Sequence, residues 1–201
     1  MNATISPKLT MFFIRLMKKI FLLLIILTSY IAEAQFIKEK SINAQIGYGL
    51  TAPYNSEDDI IDEGFFAQGE FVLKIASWVD LRPYAGFVIT NSSGKDLNNN
   101  PTNEKAETKA VLLGGKTRIK APIPWVAPYL EIGIGTSIGS FETFTAFDAI
   151  SKSGIIYHIP VSLGLELGRN KNIDVGLAYY FQPSVEQLAG AIAVGVRFPL
   201  K

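Results

Sequence analysis

From Lys40 onward, apolar and polar residues alternate along the chain, and the alternation resolves into eight segments separated by turn-rich stretches. A period of two marks β-strands, whose successive side chains point to opposite faces. The segments run Ser41–Ala52, Phe65–Ala76, Val79–Thr90, Thr108–Ala121, Trp125–Ser140, Ile155–Gly168, Ile173–Gln182 and Leu188–Leu200. Most reach or exceed the roughly 9 to 11 residues that a tilted strand needs to cross a bilayer, whereas soluble strands are nearer about 5 or 6. The connections alternate too. Tyr54–Gly64, Asn91–Glu107, Phe141–Gly154 and Pro183–Gln187 follow odd-numbered segments, and all but the last are long and polar. Ser77-Trp78, Pro122–Pro124 and Arg169–Asn172 follow even-numbered ones and are tight. Long connections on one side and short ones on the other predict an all-β fold. The expected architecture is an eight-stranded antiparallel transmembrane β-barrel with both ends on the short-turn side.

Parity separates two faces in every segment. One carries residues such as Ile42, Ile46, Leu81, Ile132, Leu163 and Val194, and no charged residue falls on it. The other carries Glu70, Lys74, Asp80, Arg82, Lys116, Arg118, Lys120, Glu131, His158, Glu166, Asp174 and Arg197, interleaved with glycines such as Gly86, Gly135, Gly164 and Gly176. A soluble barrel would show the same alternation with its apolar face turned inward. The glycines decide between the two: on a solvated strand face glycine weakens the strand with no gain. Inside a narrow barrel, where side chains fill the lumen, it makes room for long charged residues. The charged face is therefore expected inside and the apolar face against lipid. Tyr48, Phe65, Phe87, Tyr157, Tyr179 and Phe181 lie toward the long-loop ends of the apolar face. Trp78, Trp125 and Phe198 lie toward the other ends, so the nine aromatics read as two interfacial girdles.

Composition narrows the function classes. The 201 residues amount to one domain, with a formal charge of +1. Without residues 1–34, which hold Lys8, Arg15, Lys18 and Lys19, the chain is slightly acidic. Nucleic-acid binding, which needs a clustered basic face, is not expected. Cysteine is absent, which removes disulfides, thiol nucleophiles and cysteine-ligated zinc. Residues 1–34 read as a signal peptide: Met17-Lys18-Lys19 is a basic start, Ile20–Leu27 an apolar run, and Ala32-Glu33-Ala34 before Gln35 a small-x-small cleavage site. Met17 offers a second start codon. The apolar run is short against the roughly 20 residues of a spanning helix. The mature barrel domain is then 35–201.

Ile46-Gly47-Tyr48-Gly49, Pro128-Tyr129-Leu130-Glu131-Ile132-Gly133, Ile159-Pro160-Val161-Ser162-Leu163-Gly164 and the terminal Val194-Gly195-Val196-Arg197-Phe198 resemble segments of the small outer-membrane β-barrel superfamily, which includes the OmpA transmembrane domain, OmpX and OmpW. The resemblance spans Gln35–Lys201 and implies residence in the outer membrane of a Gram-negative bacterium, amid outer-membrane lipid and lipopolysaccharide. It also implies insertion by the barrel-assembly machinery, which recognises a last strand ending in an aromatic residue. Here Phe198 is followed by Pro199-Leu200-Lys201.

The interior charges lie mostly within roughly 20 Å of the short-turn end, and the other half of the lumen reads as Gly, Ser, Thr and Gln. Five acids face six bases besides His158, a set that can nearly neutralise itself. One reading is a salt-bridged plug under extracellular loops with a structural or surface-interaction role. The other is a narrow conduit for small or hydrophobic solutes, of the OmpW kind. A third, more remote reading is a lipid A-modifying enzyme using His158 and Ser162. Four residues along one strand separate that pair by about 13 Å, too far for a nucleophile to touch its base, so no catalytic residue is expected. No cofactor or metal set is evident. The acidic run Glu57–Glu63 lacks the glycine and alternating ligands of an EF-hand loop and reads as a solvated, mobile loop. Pro83, Pro128 and Pro160 fall inside segments, where each removes a ladder hydrogen bond, so a bulge or strand end is expected there. The competing reading is a weakened seam at the strands holding Pro128 and Pro160.

Overall fold

The computed structural model describes Lys18 and residues 37–200, so the signal peptide, the Met17 start and the cleavage site lie outside the described residues apart from that one lysine. The strands are β1 (Glu39–Pro53), β2 (Asp62–Lys74), β3 (Val79–Asn91), β4 (Lys105–Lys120), β5 (Val126–Phe144), β6 (Ala149–Leu167), β7 (Ile173–Gln182) and β8 (Gln187–Pro199). Each pairs antiparallel with its chain neighbour, and β8 closes on β1 from Ile42 opposite Phe198 to Pro53 opposite Gln187. Closure satisfies the edge hydrogen bonds that an open sheet would leave to the bilayer.

The parity is that of a membrane barrel. Ile46, Leu130, Ile132, Ile134, Ile155 and Val194 are exposed on the outside, whereas Arg82, Arg118, Glu70, Glu131, Glu166 and His158 are fully buried inside. Among the described residues no helix is long and apolar enough to cross a membrane. The strands carry the apolar surface.

Three local expectations are corrected. The stretch 141–154 is strand for most of its length, because the inward alternation of Phe141, Thr143 and Ile156 continues past the apolar belt. Only residues 145–148 turn, and β5 stays in register with β6 up to Phe144 opposite Ala149. Pro83 and Pro160 form neither bulges nor strand ends. Around each the ladder skips two residue pairs and resumes in unchanged register, from Glu70–Tyr84 to Leu73–Leu81 and from Ile132–Val161 to Gly135–His158. A proline offers no N–H to its partner strand, and the neighbouring pairs hold the register. Pro128 is the third residue of β5, at a strand end as expected.

The third correction concerns the inward glycines. The space at several of them is taken by tyrosine rather than by charged side chains. A Cβ at Gly164 or Gly176 would stand 2.5 Å from the Tyr129 hydroxyl, and one at Gly114 would stand 2.6 Å from that of Tyr84. Outward-facing Gly115 has nothing within 4 Å of that point. Gly164→Val should therefore displace the Tyr129 ring and destabilise the barrel by about 1–3 kcal/mol, the usual cost of overpacking. Gly115→Val should leave stability near wild type. The thermal midpoint of the detergent-solubilised barrel, followed by heat-dependent gel mobility, separates the two; equal shifts would remove the steric account.

Candidate functional site

Ten of the charged residues expected inside converge in the half of the lumen near the short turns. Arg82, from β3, lies 2.7 Å from Glu70, 3.2 Å from Asp80 and 3.1 Å from Glu166. Arg118, from β4, lies 2.6 Å from Glu131, 2.9 Å from Glu166 and 2.5 Å from Asp174. Lys116 joins Glu70 at 2.6 Å to Glu131 at 2.8 Å, and Lys120 reaches Asp80 at 2.7 Å. Arg197 closes the set from β8, 2.5 Å from Glu166. These contacts link five acids and five bases contributed by seven strands, β2 to β8. The Arg118 guanidinium also stacks over Tyr129, 3.5 Å from the ring centroid, and Tyr129 donates to Asp174 at 2.6 Å.

Two of the twelve expected members stand elsewhere. Lys74 is the last residue of β2 and sits at the mouth, partly exposed, with its amine 2.8 Å from Glu39. Its departure leaves the interior set balanced. His158 lies above the ionic layer: its Nδ1 is 2.7 Å from the Ser137 hydroxyl and its Nε2 is 2.5 Å from that of Tyr84. Ser137 belongs to the neighbouring strand, so only cross-strand register could have revealed the pair. Both side chains are fully buried, and His158 has a tyrosine where a catalytic triad would place a carboxylate.

The other half of the lumen holds the Ser, Thr and Gln expected from sequence, among them Ser137, Thr108, Gln182 and Gln187, but an apolar layer stands there too. Phe66, Tyr84, Val88, Leu112 and Tyr180 pack there as a buried apolar layer against Ala178, Ala189, Ala191 and Ala193. Tyr180 donates to Gln68 at 2.5 Å, and Gln68 donates to Glu70 at 2.8 Å, which ties this layer to the ionic one. Above it, Gln187 donates to Thr108 at 2.6 Å and to Gln182 at 3.0 Å. Val185, in the 3-10 turn Pro183–Val185, packs with Ala110, Phe141 and Ile156. Phe66, Val88 and Leu112 share the parity of the charged face, so their inward direction is readable from sequence.

The nine girdle aromatics all lie on the outer wall, with Trp78, Trp125, Phe198, Tyr48, Phe65 and Tyr157 exposed by about half or more, from 49% to 62%. Phe65 and Phe87 touch across β2 and β3, with centroids 5.9 Å apart.

The acidic run after β1 is anchored rather than free. Glu104 accepts the backbone N–H groups of Ala146 at 2.7 Å, Asp58 at 3.0 Å and Glu57 at 3.3 Å, so one carboxylate clasps three loops. Asp62 turns inward and accepts the Ala106 N–H at 2.6 Å. Partial burial opposes ionisation of Glu104, but the three N–H donors outweigh it and hold its carboxyl below the ordinary value. Among the described residues, no three acidic, histidine or cysteine side chains come together as a metal set.

No family model matches the chain, and no curated protein matches it. Among solved structures the barrel is similar to Neisserial surface protein A, at 12% identity and a TM-score of 0.57, over 80% of this chain and 97% of that one. Two others align at a TM-score of 0.46. OprG from Pseudomonas aeruginosa is 14% identical over 82% of this chain and 98% of its own. Ail of Yersinia pestis, solved with the heparin analogue sucrose octasulfate, is 15% identical over 80% and 99%. The first likeness shows a shared fold. The apolar belt around the ionic interior is that of a barrel whose strands face lipid.

Two outcomes follow from this geometry. Arg82→Met leaves Glu70 and Asp80 short of a buried partner and should cost about 3–5 kcal/mol of stability, part of it recovered when Glu70→Gln is added. Urea or thermal unfolding of the three proteins checks this, and an unchanged Arg82→Met barrel would show that the network is dispensable. For the loop clasp, a carboxyl held below its ordinary value stabilises the folded loops above that value, and the contribution is lost as pH falls through the depressed one. The Glu57, Asp58 and Ala146 amides should therefore be protected from deuterium exchange near neutrality, relative to their intrinsic rates, and lose that protection in acid below the ordinary carboxylate range. In Glu104→Ala these amides should be unprotected at both.

Proposed function

We propose that this outer-membrane barrel is a closed scaffold that holds a shaped extracellular loop surface, with a structural or surface-interaction role, and that it is neither a pore nor an enzyme. The observation that carries the reading is the filling of the lumen along its length. A balanced ionic layer is followed by an apolar aromatic layer and then by the glutamine and threonine layer under Val185. Either of the first two layers alone opposes ion passage. Fixed charges already paired offer a permeating ion little, and an apolar constriction excludes its hydration shell.

The loops support the second half of the reading. The Glu104 clasp and the β5–β6 hairpin hold the surface beyond the belt in a defined shape, which lowers the ordering cost of meeting a partner. The partner is unidentified; outer-membrane lipid and lipopolysaccharide surround the barrel, and the assembly machinery inserts it. Catalysis is disfavoured because the Ser137–His158 pair is buried beneath the upper layers.

Purified protein in a planar bilayer should give no steady conductance at neutral pH. A reproducible open level in the wild type would overturn the closed scaffold in favour of a narrow channel for small solutes. Mass spectrometry of lipid A from a deletion strain should show an unchanged acylation pattern, and an altered one would reinstate an enzyme.

A further inference from the structure

The outer wall is bulky and apolar almost throughout, but on β8 the outward residue opposite Leu50 and Tyr179 is Gly190. At its missing side chain lies a trough of about 190 Å³, lined by Leu50, Leu177, Tyr179, Leu188 and Ile192 and by Ile61 of the first long loop. An apolar cavity of about 150 Å³ is already enough to exclude water and hold a benzene-sized guest. No protein side chain fills this one.

Its depth and surroundings determine what can enter. Gly190 lies three residues below Gln187, the extracellular end of β8, or about 10 Å along the strand. The trough therefore opens within the apolar belt, continuous with the surface already given over to lipid, and in the leaflet nearest the long loops. Hydrocarbon is the surrounding medium at that depth, and a single chain matches a trough one side chain wide. We propose that the Gly190 trough seats one acyl chain of a lipid A molecule of the outer leaflet, with Tyr179 and Leu188 as its walls. A lipid held there is part of the barrel's outer surface and extends the extracellular face into the membrane. The assignment rests on the outer-membrane orientation adopted above and is independent of whether the lumen conducts.

The test is native mass spectrometry of the full chain as matured in the membrane, extracted with mild detergent and titrated with lipid A or with phosphatidylethanolamine. The wild type should retain one lipid A under collisional activation that strips phosphatidylethanolamine. Gly190→Leu fills the trough and should lower retention about tenfold. A Cβ there would stand 2.7 Å from the Ala178 carbonyl oxygen, so this variant could perturb β8. Leu188→Ala, which removes a wall and inserts nothing, should lower retention as well. Gly115→Leu, at the open outward glycine on β4, should retain lipid A like the wild type. Heat-dependent gel mobility confirms that each variant is folded. Equal retention in wild type, Gly190→Leu and Leu188→Ala would overturn the proposal, as would loss in Gly115→Leu or a preference for phosphatidylethanolamine. A conducting barrel that still retains lipid A at Gly190 would overturn the closed scaffold and leave the trough intact.

Discussion

The structure depends on one requirement, that every charge pointed into a narrow, dry lumen must meet its opposite there. Five acids and five bases meet it, with Glu166 taking contacts from Arg82, Arg118, Lys120 and Arg197. The desolvation cost of such a cluster is large, and its Coulombic return exists only while all partners are present. A one-residue slip in any of these strands would turn its charges toward lipid and leave the others unpaired. The network thus selects the register of the barrel as much as it adds stability.

Register in turn places the tyrosines. Tyr84 and Tyr129 lie over their neighbouring strands only because those strands carry Gly114 and Gly135, or Gly164 and Gly176, at the depth of each ring. Their hydroxyls then serve His158 and Asp174. Charge, aromatic ring and glycine form one packing unit in which each large side chain has a vacated position opposite. The same logic with its sign reversed applies outside. There Gly190 vacates a position that no protein group fills, and the surrounding hydrocarbon is the available occupant.

Above the belt the chain keeps its strand pattern but changes its purpose. β5 and β6 extend past the end of β7, while Glu104 ties the first, second and third long connections together through three backbone donors. The acidic run that looked solvated is held because those donors come from its own backbone. Two of its carboxylates anchor it as well: Asp58 accepts the Thr102 hydroxyl, and Asp62 turns inward to the Ala106 N–H.

The sequence by itself determined the number of strands, their faces, the side of the short turns and the enclosure of the charges. Each of these follows from the period of two and from the cost of exposing a charge to lipid, both of which are local properties. β7 was legible to the residue; the long-loop ends of other strands ran on where alternation continued outside the membrane, as at Phe141 and Thr143, while several short-turn ends, such as those of β2 and β4, fall one or two residues short of the expected bounds. Tertiary structure alone decided that Lys74 leaves the network for Glu39, that His158 meets Ser137 rather than Ser162, and that Glu104 joins three loops. It also decided which side chain takes the space at each glycine. Those outcomes depend on the stagger between strands and on depth in the lumen, and a sequence read one strand at a time specifies the face of a residue but not its height opposite its neighbours.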